Sequence, residues 1–158
     1  MIRQSDPGDD ARFRPLTPRT RSDGAPRRVG LEIEFGGLTE AEVARIVAGM
    51  FGGRISGDGE FRLVVEGSAI GDVEVVLDTA WRSAAGNRLA ELGLELSRAV
   101  VPVEVVTEPL DPEMLMPRME RLCVTLRERG ALGSRDGFFL GFGVHLNVEV
   151  AAMTAPAI

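Results

Sequence analysis

The chain contains no lysine, and it has one cysteine, one histidine and one tryptophan among its 158 residues. Without lysine there is no lysine nucleophile and no P-loop lysine, so those mechanisms are excluded outright. A lone histidine, His145, leaves no multi-histidine zinc site and no Ser/His/Asp triad unless a partner supplies the rest. The lone cysteine, Cys123, cannot form an internal disulfide, which fits a reducing cytoplasm. Its spacing with Met119, Leu122 and Leu126 reads as a core thiol on a helix. Trp81 is expected in the core or a cleft wall. No apolar run approaches the roughly 20 residues of a membrane helix, and the N-terminus lacks the apolar stretch of a secretory signal.

Charge is present but uneven. Residues 1–28 carry seven arginines against four aspartates, a net of +3. The remainder carries 11 arginines against 20 acids, a net of −9, which together give the overall −6. An acidic body is a poor match for nucleic-acid phosphates, so no nucleic-acid or membrane partner is expected. It suits divalent cations instead. A hydrophobic content of 44% provides material for one ordinary core.

Three segments share one pattern: VGLEIEF (29–35), VPVEVVTEP (101–109) and FGVHLNVEV (142–150). Side chains alternate across a strand. Val29, Leu31, Ile33 and Phe35 therefore oppose Glu32 and Glu34. Val101, Val103 and Val105 oppose Glu104, with Glu108 in phase. Val144, Leu146, Val148 and Val150 oppose His145, Asn147 and Glu149. Carboxylates are weak strand formers, and like charges on one sheet face are unfavourable unless something positive sits between them. Mg²⁺ or Mn²⁺, which prefer oxygen ligands with an occasional imidazole, are the simplest candidates.

Residues 1–27, rich in Pro, Asp, Ser and Arg, read as a disordered or loosely docked leader. The ordered body is expected over 28–150, with 151–158 a short tail. After the first strand, Thr39 and Glu42 have capping-box spacing for a helix over 40–51, with Val43, Ile46, Val47 and Met50 as its buried stripe. FRLVVEG (61–67) and GDVEVVLD (71–78) form a hairpin, placing Asp72, Glu74 and Asp78 on one side with Arg62 and Glu66 in phase. A helix is expected over 83–98, with Leu89, Leu92, Leu96 and Ala99 inward. Another runs from Asp111-Pro112 to Arg129, with Pro117 a kink near its start, and a last strand spans 138–150. Asp58 and Glu60 belong to a turn. The order β-α-β-β-α-β-α-β predicts an α+β fold: a mainly antiparallel sheet with helices on one face and an open acidic face.

VGLEIEF, VEVVTEP and GVHLN, in this order, resemble the signature blocks of the amidoligase family, a relative of glutamine synthetase and glutamate–cysteine ligase. The resemblance covers 28–150. It implies the carboxylate–amine ligase fold, with Glu32 and Glu34 as metal ligands from the first strand, Glu104 from the central strand and His145 from the last. It implies Asn147 as a substrate- or cofactor-orienting group, with Glu108 and Glu149 as weaker candidates. Glu66-Gly67-Ser68 would be a substrate-side turn. It further implies ATP and Mg²⁺ (or Mn²⁺) as cofactors, and carboxylate and amine substrates, glutamate- or peptide-derived, joined through an acyl phosphate. Such ligases continue past the GxHxN strand, so this chain is expected to be an incomplete half, complemented by a C-terminal chain. The alternative is a catalytically inactive, truncated remnant that binds metal or a partner chain; a carboxylate-lined metal hydrolase fits the motif order less well.

Overall fold

A computed structural model describes residues 16–57, 61–77, 101–135 and 143–153. The helix expected over 83–98 lies outside them, as do Asp58, Glu60, Asp78, Trp81 and the first residues expected in the last strand. What is described is α+β. Six strands, β1 (Val29–Phe35), β2 (Arg54–Ser56), β3 (Arg62–Ser68), β4 (Gly71–Leu77), β5 (Val103–Thr107) and β6 (Val144–Val148), form one sheet in the order β2-β3-β4-β5-β1-β6. Every neighbouring pair is antiparallel. Two helices, α1 (Glu40–Phe51) and α2 (Pro112–Glu128), accompany it.

The alternating aliphatics decide which side is the core. Leu31, Ile33 and Phe35 of β1, Val65 of β3, Val73, Val75 and Leu77 of β4, and Val103 and Val105 of β5 are buried. They form one cluster with Val43, Ala44, Val47 and Phe51 of α1 and with Leu115, Met119, Leu122 and Leu126 of α2. Both helices therefore lie on the aliphatic face. Each fully buried Val or Leu favours folding by about 1.5–3 kcal/mol over an exposed one. The stripe of α1 is turned slightly from expectation: Ala44 and Phe51 are buried, while Ile46 and Met50 are only partly so.

Helix α1 starts where its capping box dictates. The Thr39 hydroxyl accepts a hydrogen bond from the Glu42 amide at 3.3 Å, and the Glu42 carboxylate accepts one from the Thr39 amide at 2.8 Å. That backbone donation holds the Glu42 carboxyl below the usual carboxylate range. Helix α2 is opened by Asp111, whose side chain accepts from the Glu113 amide at 2.9 Å, with Pro112 in the first turn. Its buried positions leave Cys123 on the flank, and the residue is exposed. The expected core thiol is thus corrected: the inward stripe runs through Met119, Leu122 and Leu126, and Cys123 sits beside it. Enough of the side chain is still enclosed that desolvation raises the thiol pKa, so no ready thiolate forms there.

Strand β2 leaves little trace in the sequence. Three residues after Gly52-Gly53 carry too little alternation to read, yet Arg54, Ile55 and Ser56 pair with Glu66, Val65 and Val64. Residues 19–27, at the end of the segment read as a leader, are tied to the sheet. Thr20 bridges Pro26, the Ser22 amide donates to the Ala151 carbonyl at 2.7 Å, and the Arg27 Nε donates to the Glu149 carbonyl at 2.6 Å.

Candidate functional site

Strand β1 lies between β5 and β6, and its register sets the geometry of the polar face. On one side Glu34 stands opposite Glu104 and Glu32 opposite Val106. On the other, Glu32 stands opposite His145 and Gly30 opposite Asn147. The Glu34 amide bonds to the Gly143 carbonyl of the β6 segment at 3.0 Å, whereas the Leu31 amide turns the other way, to the Thr107 hydroxyl, at 3.1 Å. Glu34 and Glu104 are therefore a non-hydrogen-bonded cross-strand pair, the closer of the two kinds, with Cα atoms about 4.5 Å apart. Each also takes part in a further interaction. Both glutamates of β1 are partly buried, as is Glu104.

Glu32 is the hub. Its Oε1 accepts a hydrogen bond from the Asn147 amide at 2.7 Å, and its Oε2 lies 3.4 Å from His145 Nδ1. The imidazole reaches over Gly143, with Nε2 only 3.7 Å from where a Cβ would stand at that position. A Cβ there would make an ordinary van der Waals contact with the ring.

All five expected site residues thus lie on one sheet face, on three adjacent strands. Three of them, Glu32, His145 and Asn147, touch, and two more, Glu34 and Glu104, stand opposite each other one step along β1. Among the described residues, no three His, Cys, Asp or Glu side chains converge closely enough to hold a metal ion as they stand. The donor types nevertheless fit a hard divalent cation: carboxylate oxygens with one imidazole.

Two weaker candidates have structural work. The Glu149 carboxylate accepts from the Arg28 amide at 2.8 Å and pairs with Arg21 at 3.5 Å, fastening the incoming chain to the end of β6. The Glu108 carboxylate accepts from the Asp72 amide at 3.1 Å, and Asp72 in turn accepts from the Gly67 amide at 2.8 Å. Glu108 is free to do so because β5 bulges beside β1. Leu31 meets the Thr107 hydroxyl, but Val29 and Leu110 exchange backbone hydrogen bonds, leaving one extra residue on the β5 side. Pro109, which has no amide to offer a ladder, occupies that bulge. Sequence reasoning missed this turn lock, although Glu-Pro directly after a strand was its signal.

The family model described as "Putative amidoligase enzyme" matches residues 25–158. No curated protein and no solved structure matches the chain.

Proposed function

The chain belongs to the amidoligase family, and from that premise we propose that it is a carboxylate–amine ligase built on a glutamine synthetase-like sheet and dependent on ATP and Mg²⁺ or Mn²⁺. The observation that carries the proposal is the β1 register, which sets Glu34 against Glu104 and Glu32 against His145 on one face. In the reaction, a substrate carboxylate oxygen attacks the γ-phosphorus of ATP and ADP leaves. The amine nitrogen then attacks the acyl carbon and expels phosphate, forming the amide. Glu32, Glu34, Glu104 and His145 would hold the divalent ions, which neutralise phosphoryl charge during such transfers. Asn147, hydrogen-bonded to Glu32, fixes that carboxylate's orientation. An acidic face of this kind repels a nucleotide unless cations intervene, so nucleotide and metal binding are linked.

Thermal melts with and without Mg²⁺ or Mn²⁺ test the site. Ligand that binds only the folded state raises the melting temperature, and wild type should gain where Glu32→Gln and His145→Ala gain little. Equal gains in all three would remove the proposed ligands. For the chemistry, ADP should be released only when a carboxylate substrate is present. Hydrolysis of a substrate without ATP would point to a metal hydrolase instead.

A further inference from the structure

The bulge in β5 that turns Glu108 toward Asp72 also changes the fate of a backbone carbonyl. In a regular antiparallel ladder Leu31 and Thr107 would exchange two backbone hydrogen bonds, in step with Ile33 and Val105. Instead the Leu31 amide goes to the Thr107 hydroxyl at 3.1 Å. The matched register stops at Glu32 and Val106, and regular exchange resumes only at Val29 and Leu110. The hydroxyl has thus taken the donor that the carbonyl of the same residue would receive. Among the described residues no other donor reaches that oxygen. Thr107 is only 6% exposed, and buried carbonyls without a partner are rare enough to point to a ligand or an ordered water.

The neighbour across from this carbonyl on β1 is a glycine. A Cβ at Gly30 would stand 3.6 Å from the Thr107 oxygen and 3.7 Å from Asn147 Cβ. A gap wide enough for a methyl group therefore separates the carbonyl from Asn147. Gly30 is in phase with Glu32 on the polar face, about 7 Å from it along the strand. More acceptors border the gap. Asn147 gives its amide nitrogen to Glu32 at 2.7 Å, which leaves Oδ1 for a further donor, and the Glu32 carboxylate accepts several. The basic neighbour Arg28 is exposed and lines a separate cavity with Pro109, Leu110 and Asp111 at the end of the sheet.

We propose that this gap binds the protonated primary amine of the amine substrate, which donates to the Thr107 carbonyl, Asn147 Oδ1 and Glu32. That the occupant is a substrate rests on the ligase reading above; the recognition itself does not. A primary ammonium carries three N–H donors and one positive charge, against two neutral acceptors and a carboxylate. A quaternary ammonium, with no N–H, would leave the carbonyl unpaired. The gap lies on the far side of Glu32 from the Glu34–Glu104 pair. An amine held there and a carboxylate held at that pair would occupy successive places along β1.

NMR of the chain without metal or nucleotide tests this without turnover, using methylammonium as the probe and tetramethylammonium as the control. The Thr107 carbonyl carbon, observed through the Glu108 amide, should shift with methylammonium and stay in place with tetramethylammonium. Gly30→Ala fills the gap at ordinary contact distances, so the fold should persist while methylammonium affinity falls about tenfold, the scale of one charge-assisted hydrogen bond. Thr107→Val gives up the hydroxyl, lets the Leu31 amide return to the carbonyl and should lose the response; Thr107→Ser should keep it. A wild-type carbonyl carbon that ignores methylammonium overturns the proposal and leaves an ordered water as the occupant. So does an equal response to tetramethylammonium, and so does a folded Gly30→Ala variant that binds methylammonium like wild type. If Mg²⁺ alone moves this carbon and methylammonium does not, the carbonyl is a metal ligand and the amine assignment fails. Failure of the ligase reading would show instead in the metal melts and the ADP assay, which involve no methylammonium.

Discussion

The polar face of the sheet has two halves built from the same residue types and arranged differently. Across β2, β3 and β4, each strand-borne glutamate meets an arginine: Arg54 pairs with Glu66, and Arg62 pairs with Glu74 through two nitrogens. Ser56 adds a hydrogen bond to Glu66. Across β5, β1 and β6 the register instead faces Glu34 with Glu104 and gives Glu32 a histidine and an asparagine. Cross-strand pairs of opposite charge stabilise a sheet, and like charges directly opposite do the reverse. One half thus pairs its charges across strands, and the other gathers metal-type donors, with Glu34 opposite Glu104 and each also in a further interaction.

The sharpest way to break the comparison is to neutralise one glutamate in each half. Glu32→Gln and Glu104→Gln should each lower divalent-metal affinity by about 10- to 100-fold, the scale seen when metal shells are disturbed. Glu74→Gln, outside that shell, should leave it within about twofold of wild type. Titration calorimetry with Mn²⁺ measures all three. Similar losses at Glu74 and Glu32 would show that general acidity, not the β1 register, attracts the cation.

Much of this division is legible without coordinates. Strict alternation in VGLEIEF assigns Leu31 and Ile33 to the core and Glu32 and Glu34 to the other face, since period-two patterning survives any choice of neighbouring strand. Thr39 and Glu42 mark the start of α1 through a purely local hydrogen-bond exchange. Contacts between distant segments are not legible. That Asn147 reaches Glu32, or that Glu149 fastens Arg28 and Arg21, depends on a register between residues more than a hundred positions apart. Cys123 departs from expectation for a related reason: helical spacing gives the stripe, but its phase against the sheet decides which flank is covered.

The boundary between the halves supplies a middle-sized effect. Gly71 has φ of 76°, and a Cβ built there would stand 2.5 Å from Glu108 Oε2. Gly71→Ala therefore meets both a disfavoured backbone region and the carboxylate that locks the turn to β5. A loss of about 1–3 kcal/mol is expected from denaturant melts. Glu108→Ala removes the clash and the lock together, so the double substitution should lose less than the sum of the single ones. Strict additivity would mean that Glu108 does not hold the turn.

The smallest effect belongs to the arginine-paired half. Arg62 and Glu74 are both substantially exposed, with side chains 58% and 41% accessible. Exposed ion pairs are screened by water and require two long side chains to stay ordered, so a double-mutant cycle with Arg62→Ala and Glu74→Ala should give about 0.2–1 kcal/mol. High salt should shrink that coupling further. The same cycle on Glu34 and Glu104 should carry the opposite sign without divalent ions, because removing either carboxylate relieves a like-charge pair. Saturating Mg²⁺ should move the sign toward favourable coupling. If the two cycles agree in sign under both conditions, the halves are electrostatically alike, and the register opposing Glu34 to Glu104 has no bearing on cations.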